Sequence, residues 1–321
     1  MSKSATSKIW TAAEMPSQAG KRILITGANS GIGYHAALKL ARRGAAVILA
    51  CRNRQKGEAA LDRLQTEAPS AHTELVLFDL ASLKDVREFA ACELALRRPL
   101  HILINNAGVM APPQRLETAD GFELQFGTNV LAHFALTGLL MPALEMAAKE
   151  SSEPPRIVTI ASIAHKRGEL NFNDLQSTKN YSPMKSYAQS KLADLMFAFE
   201  LDRRLRRASS RIMSIAAHPG VAHTNLFAGG DNHSSAEKAI RSLLSHAIGI
   251  VLNTDAEGAL PTLYAATASE AISGGYYGPR GFKEMRGDEV IPAQVEPQAR
   301  DESAAARLWQ VCEDLTRVNY L

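Results

Sequence analysis

The stretch "RILITGANSGIGYHAALKLARRGAAVILA" (22–50) holds two kinds of periodicity in one run. "RILIT" (22–26) and "AVILA" (46–50) are short and apolar on both faces. That suits strands of a parallel sheet covered by helices on each side. Between them, "GYHAALKLARRG" (33–44) repeats its apolar residues at helical spacing and ends on Gly44, a residue suited to closing a helix. A strand, a helix and a second strand of this length make one right-handed crossover. The alternation continues through "ELVLFDL" (74–80), "HILINN" (101–106), "RIVTIAS" (156–162) and "RIMSIAAH" (211–218), with a short closing strand near "GGYYG" (274–278). Ser82 and Asp85 offer a capping box for the helix after the third strand. The fold expected is α/β: a single Rossmann-type, doubly wound parallel sheet of about seven strands with helices on both faces.

Composition narrows the function. The chain has 321 residues, 46% of them hydrophobic and 21% charged, which is ordinary globular composition. No composition shift or linker divides it, so residues 21–321 read as one domain. Residues 1–20, "MSKSATSKIWTAAEMPSQAG", lack the apolar centre of a signal peptide and read as a flexible leader lying loosely over the first strand. A net charge of +3 is too small to point to nucleic acid. Cys51, Cys92 and Cys312 are odd in number and widely spaced, which fits a reducing compartment and no metal site. No apolar run approaches the roughly 18–20 residues of a membrane span. A soluble, cytoplasmic protein is expected. Residues 222–262 are long for a plain connection. Within them "AIRSLLSHAIGIVL" (239–252) is amphipathic, either a movable lid over an apolar pocket or a segment packed on the sheet edge.

Two stretches carry chemistry. "ITGANSGIG" (25–33) follows the first strand and opens the first helix, with glycines at 27, 31 and 33 and no Lys-Ser/Thr ending of an NTPase loop. Gly27 permits a tight turn, Gly31 admits a pyrophosphate to the backbone, and Gly33 lets the helix pack on the strand. The free N–H groups of the helix start then attract phosphate. In "SYAQSKLADL" (186–195), Tyr187 and Lys191 stand four residues apart and share a helix face. A phenol titrates near pH 10, and an adjacent ammonium favours its phenolate. A surface tyrosine covering a lysine stem would read the same. Ser162 ends the fifth strand, where ligands collect in open α/β sheets, although a strand-end hydroxyl can also simply tie up a loop.

These pieces, with "NNAG" (105–108), "TNVLAHF" (128–134), "IASIAH" (160–165) and "HPGVAHT" (218–224) in the same order, resemble the short-chain dehydrogenase/reductase family from residue 21 to about 320. "ACRN", "SIAH", "YYGP" and "LWQVCEDLT" look like its retinol dehydrogenase-like branch, with protochlorophyllide reductases a more distant likeness. The resemblance implies Tyr187 as the acid/base, Lys191 as its partner, Ser162 as the hydroxyl on the substrate oxygen, and Asn129 as the holder of a proton-relay water. His165 and His218 would shape loops. The implied cofactor cradle is Gly27, Asn29, Ser30, Gly31, Ile32 and Gly33, then Asp79 and Leu80 beside the adenine, then Asn106, Ala107 and Gly108. It closes with Tyr187, Lys191, Pro219, Gly220, Val221 and Thr224, the last on the nicotinamide carboxamide.

Where NAD-preferring relatives place a carboxylate after the second strand, this chain has Cys51 followed by Arg52. A guanidinium there can pair with a 2′-phosphate, so NADP(H) is expected, with Asn29 or Ser30 assisting, unless Arg52 merely faces solvent. The expected enzyme moves hydride between NADP(H) and a carbonyl or alcohol group of a lipophilic molecule. It is expected as a homodimer or homotetramer paired through the helices of Asn129 and Tyr187. The alternatives are a cofactor-binding regulator without turnover, a double-bond reductase like the protochlorophyllide enzymes, or an epimerase or dehydratase of the same fold.

Overall fold

The computed structural model describes residues 10–221 and 253–321. Eight strands form one sheet in the order β3-β2-β1-β4-β5-β6-β7-β8. The strands are β1 (Arg22–Thr26), β2 (Ala46–Cys51), β3 (His72–Leu77), β4 (Ile102–Asn105), β5 (Arg156–Ile160), β6 (Met213–Ala217), β7 (Tyr276–Pro279) and β8 (Val290–Pro292). The first seven pair in parallel, and β8 returns antiparallel to β7. The expected count was about seven. β8 is a three-residue edge strand ending in proline, too short for periodicity to register. β3 stops before the expected end at residue 80, because the Asp79 carboxylate takes the Ala81 N–H at 2.9 Å and turns the chain.

The helices are α1 (Gly31–Arg42), α2 (Arg54–Glu67), α3 (Leu83–Ala95), α4 (Ala132–Glu150), α5 (Pro183–Arg207), α6 (Asp255–Gly258), α7 (Leu260–Thr267) and α8 (Glu302–Thr316). Alternate side chains of each inner strand enter two separate cores. Leu24, Ile48, Leu103 and Ile157 pack with α3, α4, α5 and α8 on one face. Ile23, Ile25, Ile104 and Val158 pack with α1, α2 and α7 on the other. Both faces are therefore dry, as the double-sided apolar runs require. Ser82 does cap α3, accepting the Asp85 N–H at 3.2 Å, but the Asp85 carboxylate takes the Ser82 hydroxyl at 2.8 Å rather than closing the reciprocal box.

Two expectations meet a different structure. Residues 10–20 are anchored, not loose: Trp10 is buried edge-on against Tyr264 with ring centroids 5.3 Å apart, and Met15 is buried. Phe126–Glu150 is, by length and composition, a helix that could cross a membrane, yet most of it is buried inside this fold. Thr128, Asn129, His133 and Thr137 interrupt its apolar run in the sequence, which is why no continuous span was visible there. On α4 and α5, the helices expected to pair with a second copy, one side is covered by the chain's own C-terminus. Trp309 of α8 packs on Phe134 and Phe197, and Tyr320 lies where a side chain on Gly138 would stand. The lid expected over 222–262 lies outside the described residues up to 252. From Asn253 onward the chain forms α6 and the start of α7, packed against α1 and the sheet.

Candidate active site

The glycine turn is shaped by what lies beside it. Gly27 takes φ +67°, and a Cβ on Gly33 would stand 2.5 Å from both the Gly27 carbonyl and the Asn106 amide. Only glycine permits that approach. The turn is locked to the end of β4 through Thr26. Its hydroxyl accepts the N–H groups of Asn106 and Ala107 at 2.9 Å each, and its carbonyl accepts Asn106 Nδ2 at 2.7 Å. Ser30 heads α1 without spending its side chain on a cap, so the first N–H groups of a twelve-residue helix stay open. That is an anion site by dipole and by donor count.

A cleft of about 1630 Å³ runs from this turn along the carboxyl ends of the strands. It is larger than the roughly 300–1,000 Å³ of a site for one small ligand. Every expected cradle residue among the described ones lines it: Gly27, Asn29, Ser30, Gly31, Ile32, Gly33, Arg52, Asp79, Leu80, Asn106, Ala107, Gly108, Pro219, Gly220 and Val221. Thr224 lies outside the described residues. Ser162, Tyr187 and Lys191 line the same cleft.

Ser162 and Tyr187 come together because α5 lies against the 3-10 turn Ile163–Arg167 that Ser162 heads. Gly168 ends that turn, where a Cβ would stand 2.5 Å from the Ala188 carbonyl. The backbone thus passes one residue beyond Tyr187. Lys191 is buried, and its Nζ donates to the Ile160 carbonyl at 2.9 Å and to Asp194 Oδ2 at 2.8 Å. Burial pulls the Lys191 ammonium down, but the charge and hydrogen bond of Asp194, with the phenolic oxygen of Tyr187 nearby, outweigh it and set the group above its ordinary value. Burial lifts the Asp194 carboxyl to about 6 against the opposing pull of Lys191, so the two are an ion pair at neutral pH.

Asn129 stands apart from the other three, because it is fully buried and does not line the cleft. Its Oδ1 accepts the Val109 N–H at 2.9 Å, and its Nδ2 donates to the Val109 carbonyl at 3.1 Å and Ser190 Oγ at 3.0 Å. It pins the loop after β4 to α5. It sits in a π-turn, Phe126–Leu131, of the kind often found at functional sites. His133 Nδ1 donates to the Asn129 carbonyl at 2.8 Å, which leaves Nε2 to accept the Thr26 hydroxyl at 2.9 Å. His133 is therefore the neutral tautomer that ties the glycine turn to Asn129.

Burial, with a smaller push from Lys191, lowers His133 from 6.5 to about 4. The unfolded chain then takes up this proton first on acidification, so stability present at neutral pH is lost between about pH 6.5 and 4. A shift of that size corresponds to about 3 kcal/mol. Urea unfolding at pH 7 and pH 4 should show His133→Gln losing about that much less stability on acidification than the wild type. Equal losses would place the acid sensitivity elsewhere.

His165 and His218 do shape loops. His165 Nδ1 donates to the Ser162 carbonyl at 2.7 Å, holding the end of β5. His218 Nδ1 accepts the Gly220 N–H at 3.1 Å. Burial lowers both, so they are neutral. Sequence reasoning did not single out Asp194, His133 or Thr26 for the site. It also missed Val109, Met110, Met184 and Phe282, which line the cleft away from the glycine turn. Phe282 is 79% exposed and Met184 55%, unusual for large apolar side chains. Among the described residues no cluster of His, Cys, Asp and Glu could hold a metal.

Residues 21–234 match the family described as short chain dehydrogenase. Retinol dehydrogenase 13 of Homo sapiens is 42% identical over 305 residues, spanning 93% of this chain and 86% of the relative. Retinol dehydrogenase 12 of Homo sapiens is 39% identical over 94% of this chain and 88% of its own length. Among solved structures, an uncharacterised protein of Mycobacterium paratuberculosis superposes with a TM-score of 0.77 at 39% identity, covering 98% of this chain and 99% of that one.

Proposed function

From the premise that the chain belongs to the short-chain dehydrogenase family, in its retinol dehydrogenase-like branch, we propose that it is an NADP(H)-dependent oxidoreductase of lipophilic carbonyl compounds and alcohols. The observation that carries this reading is one cleft holding the glycine turn, Ser162, Tyr187 and Lys191 together at the carboxyl end of the sheet. The turn fits a dinucleotide: a Cβ at Gly33 would strike the Gly27 carbonyl and the Asn106 amide that shape it, and the start of α1 offers uncapped donors. NADPH, when bound, supplies hydride to the carbonyl carbon. Tyr187 gives its phenolic proton to the carbonyl oxygen, and Ser162 holds that oxygen by a hydrogen bond. Lys191 would help hold the dinucleotide with its remaining N–H and sets the electrostatics beside Tyr187. Asn129 acts at one remove, by fixing Val109 and the loop of Gly108. The reverse reaction uses the same groups.

Lipophilic substrates are favoured by Val109, Met110, Ile163, Met184, Phe282 and Met285 along the cleft. Each methylene buried there should contribute roughly 0.8 kcal/mol, about fourfold in kcat/KM per carbon. The test is a ladder of linear aldehydes assayed with NADPH. Specificity constants should climb over several carbons and then level off. A flat or falling ladder would mean that these side chains do not bind substrate.

A further inference from the structure

We infer that Asp194 is a positioning residue of the proton-transfer site, a buried counter-charge that holds Lys191 and keeps Tyr187 in the protonated form that carbonyl reduction requires. The inference rests on the reading of Tyr187 as acid/base. Asp194 lies one turn beyond Lys191 on α5 and is itself buried. Its Oδ2 takes one Lys191 N–H at 2.8 Å, and the Ile160 carbonyl takes another at 2.9 Å. An ammonium has three N–H groups. Two fix its direction, and one remains for the cleft that Lys191 lines.

The second consequence is charge. Tyr187, Lys191 and Asp194 form one buried group with net charge zero while the phenol keeps its proton. Losing that proton would leave a buried net charge of −1, which a low-dielectric site opposes. Without Asp194 the same loss would run from +1 to zero and would be favoured. The ionisable groups facing this trio from other elements are His133 from α4, Tyr276 from β7 and Cys312 from α8. Burial holds His133 below its ordinary value and the other two above theirs, so all three are neutral at pH 7. Among the described residues Asp194 is therefore the carboxylate that balances Lys191. A lone buried carboxylate with only a packing role would not need to be charged, and placing one here costs desolvation that the pair must offset.

The test is Asp194→Asn, which keeps shape and removes charge. In alcohol oxidation, the acidic limb of the kcat/KM profile should move about 1–3 pH units downward, the shift typical of one close opposite charge. A carboxylate that serves packing alone would lower stability or kcat and leave the limb in place, and that result overturns the inference. Ultraviolet titration gives the same answer without turnover, using Tyr187→Phe variants as blanks. The phenolate absorbance assigned to Tyr187 should appear at lower pH in Asp194→Asn than in the parent. Should the variant not fold, the parent alone decides: Tyr187 phenolate already present at neutral pH overturns the inference. Absence of any turnover, with the titration shift intact, would instead remove the proposed function and leave the charge balance standing.

Discussion

Tyr187→Phe should lower the turnover of carbonyl reduction by about 10²–10⁴-fold, the range typical for removing a positioned acid or base. The ring stays, so the packing of the buried tyrosine within α5 is kept and only the hydroxyl goes. Lys191 keeps its hydrogen bonds to Ile160 and Asp194, because neither involves Tyr187. NADPH affinity should accordingly stay within about twofold, well under 0.6 kcal/mol. The expected signature is a fall in kcat with the dissociation constant of the cofactor unchanged. Turnover within tenfold of wild type would mean that another group supplies the proton, and water held in the cleft would be the next to examine.

Arg52→Ala should weaken NADPH binding by about 10–150-fold and leave NADH nearly unchanged. A charge-assisted hydrogen bond contributes roughly 1.5–3 kcal/mol, which is a loss of that size. Arg52 is exposed, lines the cleft at the end of β2, and has no ion-pair partner among the described residues, whereas Arg54 beside it faces Glu58 at 3.4 Å. Its guanidinium is therefore free to meet a 2′-phosphate without first giving up a carboxylate. Dissociation constants for both cofactors in both proteins measure the effect. Tighter binding of NADH than of NADPH by the wild type would remove the assignment.

Much of this architecture was legible because parallel strands buried on both faces announce themselves as apolar runs. "RILIT" and "RIVTIAS" each contain an observed strand, "AVILA" covers all of β2 but its last residue, and the functional residues follow at strand ends, as open α/β sheets require. The i, i+4 spacing of Tyr187 and Lys191 was also enough to place both on one side of α5, facing the cleft. The misses have physical causes. Asp194 is only three residues from Lys191, but a carboxylate beside an apolar stripe reads as solvent-facing until burial is known. Beyond the motif that Asn129 matched, its side-chain bonds to Val109 and Ser190 are a long-range pairing that no local pattern encodes. The cover that α8 and Tyr320 lay over α4 joins residues 175 or more apart, with the Tyr320 hydroxyl on the Phe134 carbonyl at 3.2 Å. Trp10 likewise finds Tyr264 across most of the chain, which a polar, small-residue leader gave no reason to expect.

The most direct test of the central claim is a single-turnover experiment with the wild-type protein in excess, NADPH carrying deuterium at both C4 positions, and a long-chain aldehyde. Transfer of hydride within the cleft predicts alcohol with one deuterium on the carbinol carbon, formed in step with loss of the reduced cofactor. If NADPH binds and a panel of aldehydes and ketones yields no labelled alcohol, the protein is a cofactor-binding member of the family without this chemistry, and the account is contradicted.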